Sequence, residues 1–398
     1  MSTGGPLTGL RVLDLGQLVQ APQAALMLGD LGADVIKVEL PEIGDAARWL
    51  PLADGDGRSA YFIGNNRGKR SLTLDLRKPE GREVFLRLAE SADVITSNFS
   101  AGTLERWGLG YRELSGRNPG IILAAGNAFG PVGPDADREG ADLVGQASSG
   151  LVRRKATHPD DVTPVSVTLA DHVGSQNMVA GVLAALHARQ RTGRGQQVEV
   201  SLLGGQIFMQ CAEYTWASLR GENLPPADQG HAILRNLYGV FPTADDYIAL
   251  IGVAPHQTQV FFEIIGHPEF ADDPEYAQCL MAPERRKEIF ERYNEIFRAK
   301  TTAQWAAAFR EAGIRYALVR EYRDVMQDEG VFENGYLQRV DHPEWGEVVL
   351  PGCPVRFSDT PASPGQLAPE LGQHSEEILL EAGFNWDEIE SLKKSGAV

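Results

Sequence analysis

The first 130 residues alternate two kinds of segment, and that alternation is what most restricts the fold. Short branched, apolar runs at LRVLDL (10–15), DVIKVE (34–39), SLTLDL (71–76), DVITSNF (93–99) and GIILAAGNAFG (120–130) read as strands. Between them AALMLGDLGA, GREVFLRLAESA and TLERWG carry helical spacing, and Pro22 stands near the start of the first helix, where proline is tolerated. Strands joined by helices pair in parallel, so the pattern predicts an α/β fold built on a Rossmann-like, doubly wound sheet. Ligands on such sheets bind beyond the carboxyl ends of the strands. Those ends carry 17–20, Glu39, Asn98 and Phe99, and 127–129.

Further along, residues 171–191 form one long helical pattern and QQVEVSLL a sixth strand. The turn-rich stretch 221–230 reads as a linker. After it, LYGVFPTADDYIALIGV reads as a hairpin and 257–309 as mostly helical. We therefore expect a large domain from 1–225 and 330–398 and a smaller α+β domain from 226–329. The tail adds a polar stretch and a helix through HSEEILLEAG.

Composition removes several functions. The 398 residues are 43% hydrophobic, enough for a large core, and carry a formal net charge of −17. Nucleic-acid binding draws on phosphate neutralisation, so this balance argues against a nucleic-acid partner. Three scattered cysteines (Cys211, Cys279, Cys353) form no metal spacing and fit a reducing compartment. No apolar run reaches membrane-spanning length and the N-terminus lacks a secretory pattern, so the expectation is a cytoplasmic protein without a membrane partner.

The motifs are mostly negative. GNNRGKRS (64–71) is one residue short of a P-loop and is followed by a strand; it reads as a basic turn whose Arg67, Lys69 and Arg70 would suit phosphate. GQLVQAPQ lacks the GxGxxG of dinucleotide sites, although the helix start near Ala21 favours anions. The eight histidines show no HExxH, and QASSG is not GxSxG. Asp171, in TLADHVGSQN at the head of the long helix, has two readings. It is an ordinary capping residue, or a carboxylate whose ionised form the helix end favours and which serves as a covalent nucleophile.

Together these segments resemble the family III CoA-transferases, the group of formyl-CoA, carnitine-CoA and bile-acid-CoA transferases (CaiB/BaiF type). The segments are LTGLRVLDLGQLVQAP, LGADVIKVELPEIGD, NRGKRSLTLDLRKPEG, SNFSAGTLERWGLGYREL, FGPVGPDADREGADLVGQASSGL, TLADHVGSQNMVAGVLAALHARQRTGRGQQVEVSLL, YGVFPTADDYIAL and LGQHSEEILLEAG. The resemblance implies an interlocked homodimer that takes acyl-CoA and a carboxylic acid, with coenzyme A as co-substrate and no metal or redox cofactor. It places the family's nucleophile on Asp171 and an oxyanion donor on Gln20. Val19 and Ala21 match the turn near the thioester, and Leu74, Arg77, Asn98, Phe99 and Arg106 match positions along the CoA nucleotide. Trp49 and Tyr61 match aromatics over the acyl pocket. Leu40 and Glu139 depart from residues that some members use on CoA, and the GGGGQ loop of the formyl-CoA branch is missing.

Two other functions share this pattern. An α-methylacyl-CoA racemase needs a second base, a histidine in a GHD segment; here the segment is Gly140, Ala141, Asp142. A non-catalytic acyl-CoA-binding protein would keep the groove and lose the nucleophile.

Overall fold

The computed structural model describes residues 4–155, 162–224, 230–231, 233–234, 237–273, 276, 283–365 and 367–398. Contacts divide the chain into two units: 1–149, 165–209 and 329–398 form the first, and 150–164 and 210–328 the second. The expected boundary at 225–226 falls outside the described residues, and 210–224 group with the second unit.

The first unit is built on six parallel strands: β1 (Arg11–Asp14), β2 (Asp34–Glu39), β3 (Arg70–Thr73), β4 (Val94–Ser97), β5 (Ile122–Asn127) and β6 (Gln197–Ser201). Their order is β3-β2-β1-β4-β5-β6, the doubly wound arrangement. The direction of winding reverses between β1 and β4, which opens a crevice beyond their carboxyl ends. Most strands end earlier than their apolar runs, because residues such as Leu15, Leu74 and Leu76 leave the ladder yet stay buried.

Successive strand residues point to opposite faces, and each face has its own core. Val12, Val35, Val94 and Ile122 meet the alanines of helix α1 (Gln20–Asp30) and Met178, Val179 and Val182 of helix α3 (Leu169–Thr192). Leu13, Ile36, Leu72, Ile95 and Leu123 pack with Val84, Phe85 and Leu88 and with Ile378, Leu379 and Ile389 of the tail. The tail is tied to β3: His374 N–H donates to the Ser71 carbonyl (2.9 Å), Thr73 N–H to Ser375 Oγ (3.1 Å), and Asp75 N–H to the Ala397 carbonyl (2.8 Å). Helices α2 (Asp142–Ser148) and α4 (Leu202–Met209) complete the surroundings of α3.

The second unit holds an antiparallel sheet of Tyr238–Pro242, Tyr247–Ile251 and Tyr316–Leu318. Its core is aromatic: Phe241, Phe261, Phe262, Phe290, Tyr293, Phe297, Trp305 and Phe309. The hairpin matches the sequence pattern; the third strand was not legible. Among the described residues no helix is long and apolar enough to cross a membrane.

Candidate active site

The turn from β1 into α1 lies at the point where the winding reverses. Asn98, just past β4, clamps it: Gln17 N–H donates to Asn98 Oδ1 (2.8 Å), and Asn98 Nδ2 donates to the Gln17 carbonyl (2.9 Å). This ties the turn that leads into Val19, Gln20 and Ala21 to the end of β4, which Asn98 and Phe99 follow. Val19 and Ala21 are buried, and α1 starts with no side-chain cap.

Gln20 turns its amide inward between β5 and α3. A Cβ on Gly126 would sit 2.1 Å from Gln20 Oε1, and one on Gly174 2.6 Å from Gln20 Nε2. Both positions therefore need glycine for the amide to fit. Gly174 lies one turn beyond Asp171 on the same helix face. The Ser175 hydroxyl shares its proton between the carbonyls of Gln20 (2.7 Å) and Asp171 (2.8 Å), binding the two segments together. Gln20 Nε2 is buried with no hydrogen-bond partner, a donor left over from folding.

Asp171 is not the cap of its helix. Thr168 holds the N-cap position, and the carboxylate that satisfies the first free amides comes from another helix. Asp142 of α2 accepts from Ala170 N–H (2.7 Å) and Asp171 N–H (3.3 Å), and also from Gln146 Nε2 (2.6 Å). Asp142 thus releases Asp171 from capping. Among the described residues no side chain or backbone group bonds to the Asp171 carboxylate.

The expectation of a carboxylate kept anionic by the helix end needs correction. Burial, and then the like charge of Asp142, push Asp171 up to about 7. The partial charge of the helix end is small against desolvation.

His172, the next residue, is occupied. Its Nδ1 lies 2.8 Å from Gln23 Oε1 and its Nε2 3.2 Å from Thr168 Oγ1. Nδ1 donates to the amide oxygen, and Nε2 accepts from the hydroxyl. Burial lowers the ring's pKa despite the pull of Asp142, so it is neutral at pH 7.

The remaining predicted residues are spread along the loops. Leu74 is 2% exposed and belongs to the core; its N–H donates to the Glu39 carbonyl (2.7 Å). Its side chain is therefore committed to packing. Arg77 is exposed and pairs with Asp75 (2.8 Å). Arg106 is exposed and donates to Thr103 Oγ1 (2.7 Å). Phe99 is half-buried, edge-on to Trp107. Trp49 and Tyr61 are exposed. Trp49 ends a short helical turn whose Ala46 N–H donates to Gln17 Oε1 (2.9 Å), so that segment is fastened to the β1–α1 turn.

The basic turn at 64–71 does not offer phosphate its charges. Arg67 grips Asp30 through two bonds (2.6 and 2.7 Å), Lys69 pairs with Asp14 (2.7 Å), and Arg70 with Asp34 (2.6 Å) and Glu381 (2.9 Å). Sequence reading missed the other half of this network. Lys37, in the middle of β2, is fully buried, 2.8 Å from Asp45 and 3.7 Å from Asp14. A charged residue inside an apolar parallel strand, in DVIKVE as in LRVLDL, was the available signal.

The model of CoA-transferase family III matches residues 7–375. Succinyl-CoA:glutarate CoA-transferase of Mus musculus is 33% identical over 99% of this chain and 90% of its own length. Succinyl-CoA:mesaconate CoA-transferase of Haloarcula hispanica is 34% identical over 95% and 97%. A solved structure of a CAIB/BAIF family protein from Brucella suis superposes with a TM-score of 0.83 at 30% identity, covering 95% of this chain and 100% of that one. The chain belongs to CoA-transferase family III, a family of enzymes.

Proposed function

We propose that the protein moves coenzyme A from a dicarboxylic acyl-CoA, with succinyl-CoA the first candidate, to a second carboxylic acid, and that Asp171 holds the CoA between them as an aspartyl thioester. The observation that carries this reading is a half-buried carboxylate without a partner, on the helix whose Gly174, one turn further on, lies against a buried amide donor without a partner. The curated relatives support the substrate class, since several are named for succinyl-CoA.

In this scheme an Asp171 oxygen attacks the donor's carbonyl carbon, the C–S bond breaks, and CoA leaves as thiolate. The product is an anhydride between donor and Asp171. The thiolate then attacks Asp171 Cγ and frees the donor acid, leaving an aspartyl thioester. The acceptor carboxylate attacks Cγ in turn and expels the thiolate. That thiolate attacks the acceptor's carbonyl carbon, giving the new acyl-CoA and restoring Asp171. No net proton or electron is exchanged, so the chemistry calls for nothing beyond coenzyme A. Each addition places negative charge on a carbonyl oxygen, and Gln20 Nε2 is the donor for it. A carboxylate with a raised pKa is a stronger nucleophile once ionised. An interlocked homodimer belongs to the same reading, and the mass in solution tests it.

The racemase reading needs a second base opposite Asp171. His172 has both nitrogens engaged and Ala141 replaces the histidine, so the transferase is favoured. Two experiments decide. Labelled CoA passing from succinyl-CoA to glutarate or mesaconate supports the transferase; exchange of an α-proton without CoA transfer supports the racemase instead. Hydroxylamine should inactivate the enzyme only when acyl-CoA is present, with the hydroxamate on Asp171. A tag on any other residue refutes the assignment.

A further inference from the structure

We propose that the buried ionic quartet Asp14, Lys37, Asp45 and Lys69 is a positioning device for the Gln20 amide, acting through the backbone of the turn that carries it. The proposal rests on the reading of Gln20 as oxyanion donor. All four side chains are buried, and none is bonded to Gln20 itself. Their bonds go to the turn. Gly16 N–H donates to Asp14 Oδ1 (2.8 Å), Lys37 Nζ to the Gly16 carbonyl (2.7 Å), and Leu18 N–H to Asp45 Oδ1 (2.9 Å). Lys69 Nζ donates to the Pro22 carbonyl (2.8 Å) on the far side of Gln20. The backbone is thus gripped on both sides of residue 20, at 16 and 18 before it and at 22 after it.

The conformation that these bonds hold is a costly one. Leu18 has φ +62°, a left-handed conformation that is strained for a branched, non-glycine residue. Its side chain is 37% exposed, so packing does not hold it there. Gly16 has no room for a Cβ, which would meet Pro22 Cδ at 2.5 Å and Ala21 Cβ at 2.8 Å, so the turn folds tightly onto the start of α1. Burying four charges is seldom the cheapest way to gain stability, and an apolar cluster of equal volume does as well. What an apolar cluster lacks is directional bonds to backbone groups, and this turn uses four.

The test is a double-mutant cycle in the full-length enzyme with succinyl-CoA and glutarate. Asp45→Asn should lower kcat about tenfold, since small displacements of a catalytic donor are expensive, with KM for succinyl-CoA within about twofold. In the Gln20→Ala background the same change should cost less than about twofold, because the group being positioned is gone. Equal losses in both backgrounds overturn the proposal. Leu18→Gly gives a second measurement and eases folding of Asp45→Asn, because glycine accepts the left-handed conformation without strain and keeps the backbone groups that the quartet binds. Alone it should leave kcat within about twofold, and added to Asp45→Asn it should restore several-fold of the lost kcat; a double variant no faster than Asp45→Asn overturns the proposal. If Gln20→Ala itself keeps full kcat, the reading of Gln20 fails and the positioning role with it. A slowed Gln20→Ala enzyme with additive losses removes the positioning role alone.

Discussion

Two aspartates in this sheet unit, Asp14 buried and Asp171 half-buried, have opposite surroundings. Asp14, at the end of β1, suffers a large desolvation penalty, yet Lys69 and Lys37 outweigh it and hold its carboxyl at about 2. Asp171, in the first turn of α3, meets burial and the Asp142 charge with no cation to offset them, and rises to about 7. Both residues are linked to the β1–α1 turn, Asp14 by its carboxylate to Gly16 and Asp171 by its backbone carbonyl, which shares the Ser175 hydroxyl with that of Gln20. On the proposed reading of Asp171 the difference separates scaffold from chemistry: a compensated charge builds the turn, and an uncompensated one is left to react.

Substitutions at the two positions should therefore fail in different ways. The largest effect is expected at the proposed nucleophile. Asp171→Asn should lower CoA transfer by roughly 10⁴-fold or more while the protein folds and binds CoA, as measured by steady-state assay and calorimetry. Lys69→Met should do the reverse and act first on stability. It removes the nearer of the two lysines on Asp14, leaving Lys37 at 3.7 Å, and breaking a buried pair costs about 3–5 kcal/mol, read as a lower denaturant midpoint. A Lys69→Met protein of full stability would dissolve the contrast.

A smaller effect is expected where the two regions meet. Gly174→Ala pushes a methyl toward Gln20 Nε2 and should reduce kcat about 10²-fold, although alanine favours the helix by up to about 1 kcal/mol. The fourth prediction concerns pH. Transfer should rise with pH through about 7 as Asp171 ionises, and Asp142→Asn should move that midpoint toward acid.

The smallest effect is a stability difference. The folded value of Asp171 lies above the unfolded one, near 4. The protonated group's contribution is therefore complete below pH 4 and is lost as pH rises through 7. Asp171→Asn should match the native protein at pH 4 and exceed it by about 2 kcal/mol above pH 7, as followed by thermal melts. A constant gap across that range would mean that Asp171 does not titrate as described.

The sheet was legible because each strand is a short apolar run between helical periods, and DVIKVE coincides with β2 to the residue. Asp171 and Gln20 were recognisable from their surrounding segments, and the fold sets them near each other. Asp142 was not, since it had been considered only as a neighbour of a missing histidine. Its role depends on α2 docking against the head of α3, a contact between residues 28 and 29 positions apart. Arg67, Lys69 and Arg70 misled for the same reason, because their partners Asp30, Asp14 and Asp34 come from other elements. Spacing within a segment reveals helices and strands. It does not reveal which charges will be neutralised.

The seam between β3 and the tail has a consequence for synthesis. β3 is an outer strand, and the groups that cover it (the His374 amide, the Ser375 hydroxyl and the Ala397 carbonyl) leave the ribosome some 300 residues after it. While the second unit is being made, that border of the nascent sheet stands open, with backbone groups free to bond to a neighbouring chain. A transcript cut short before codon 374 would make that exposure permanent, and the truncated product should aggregate rather than persist as a weakened enzyme.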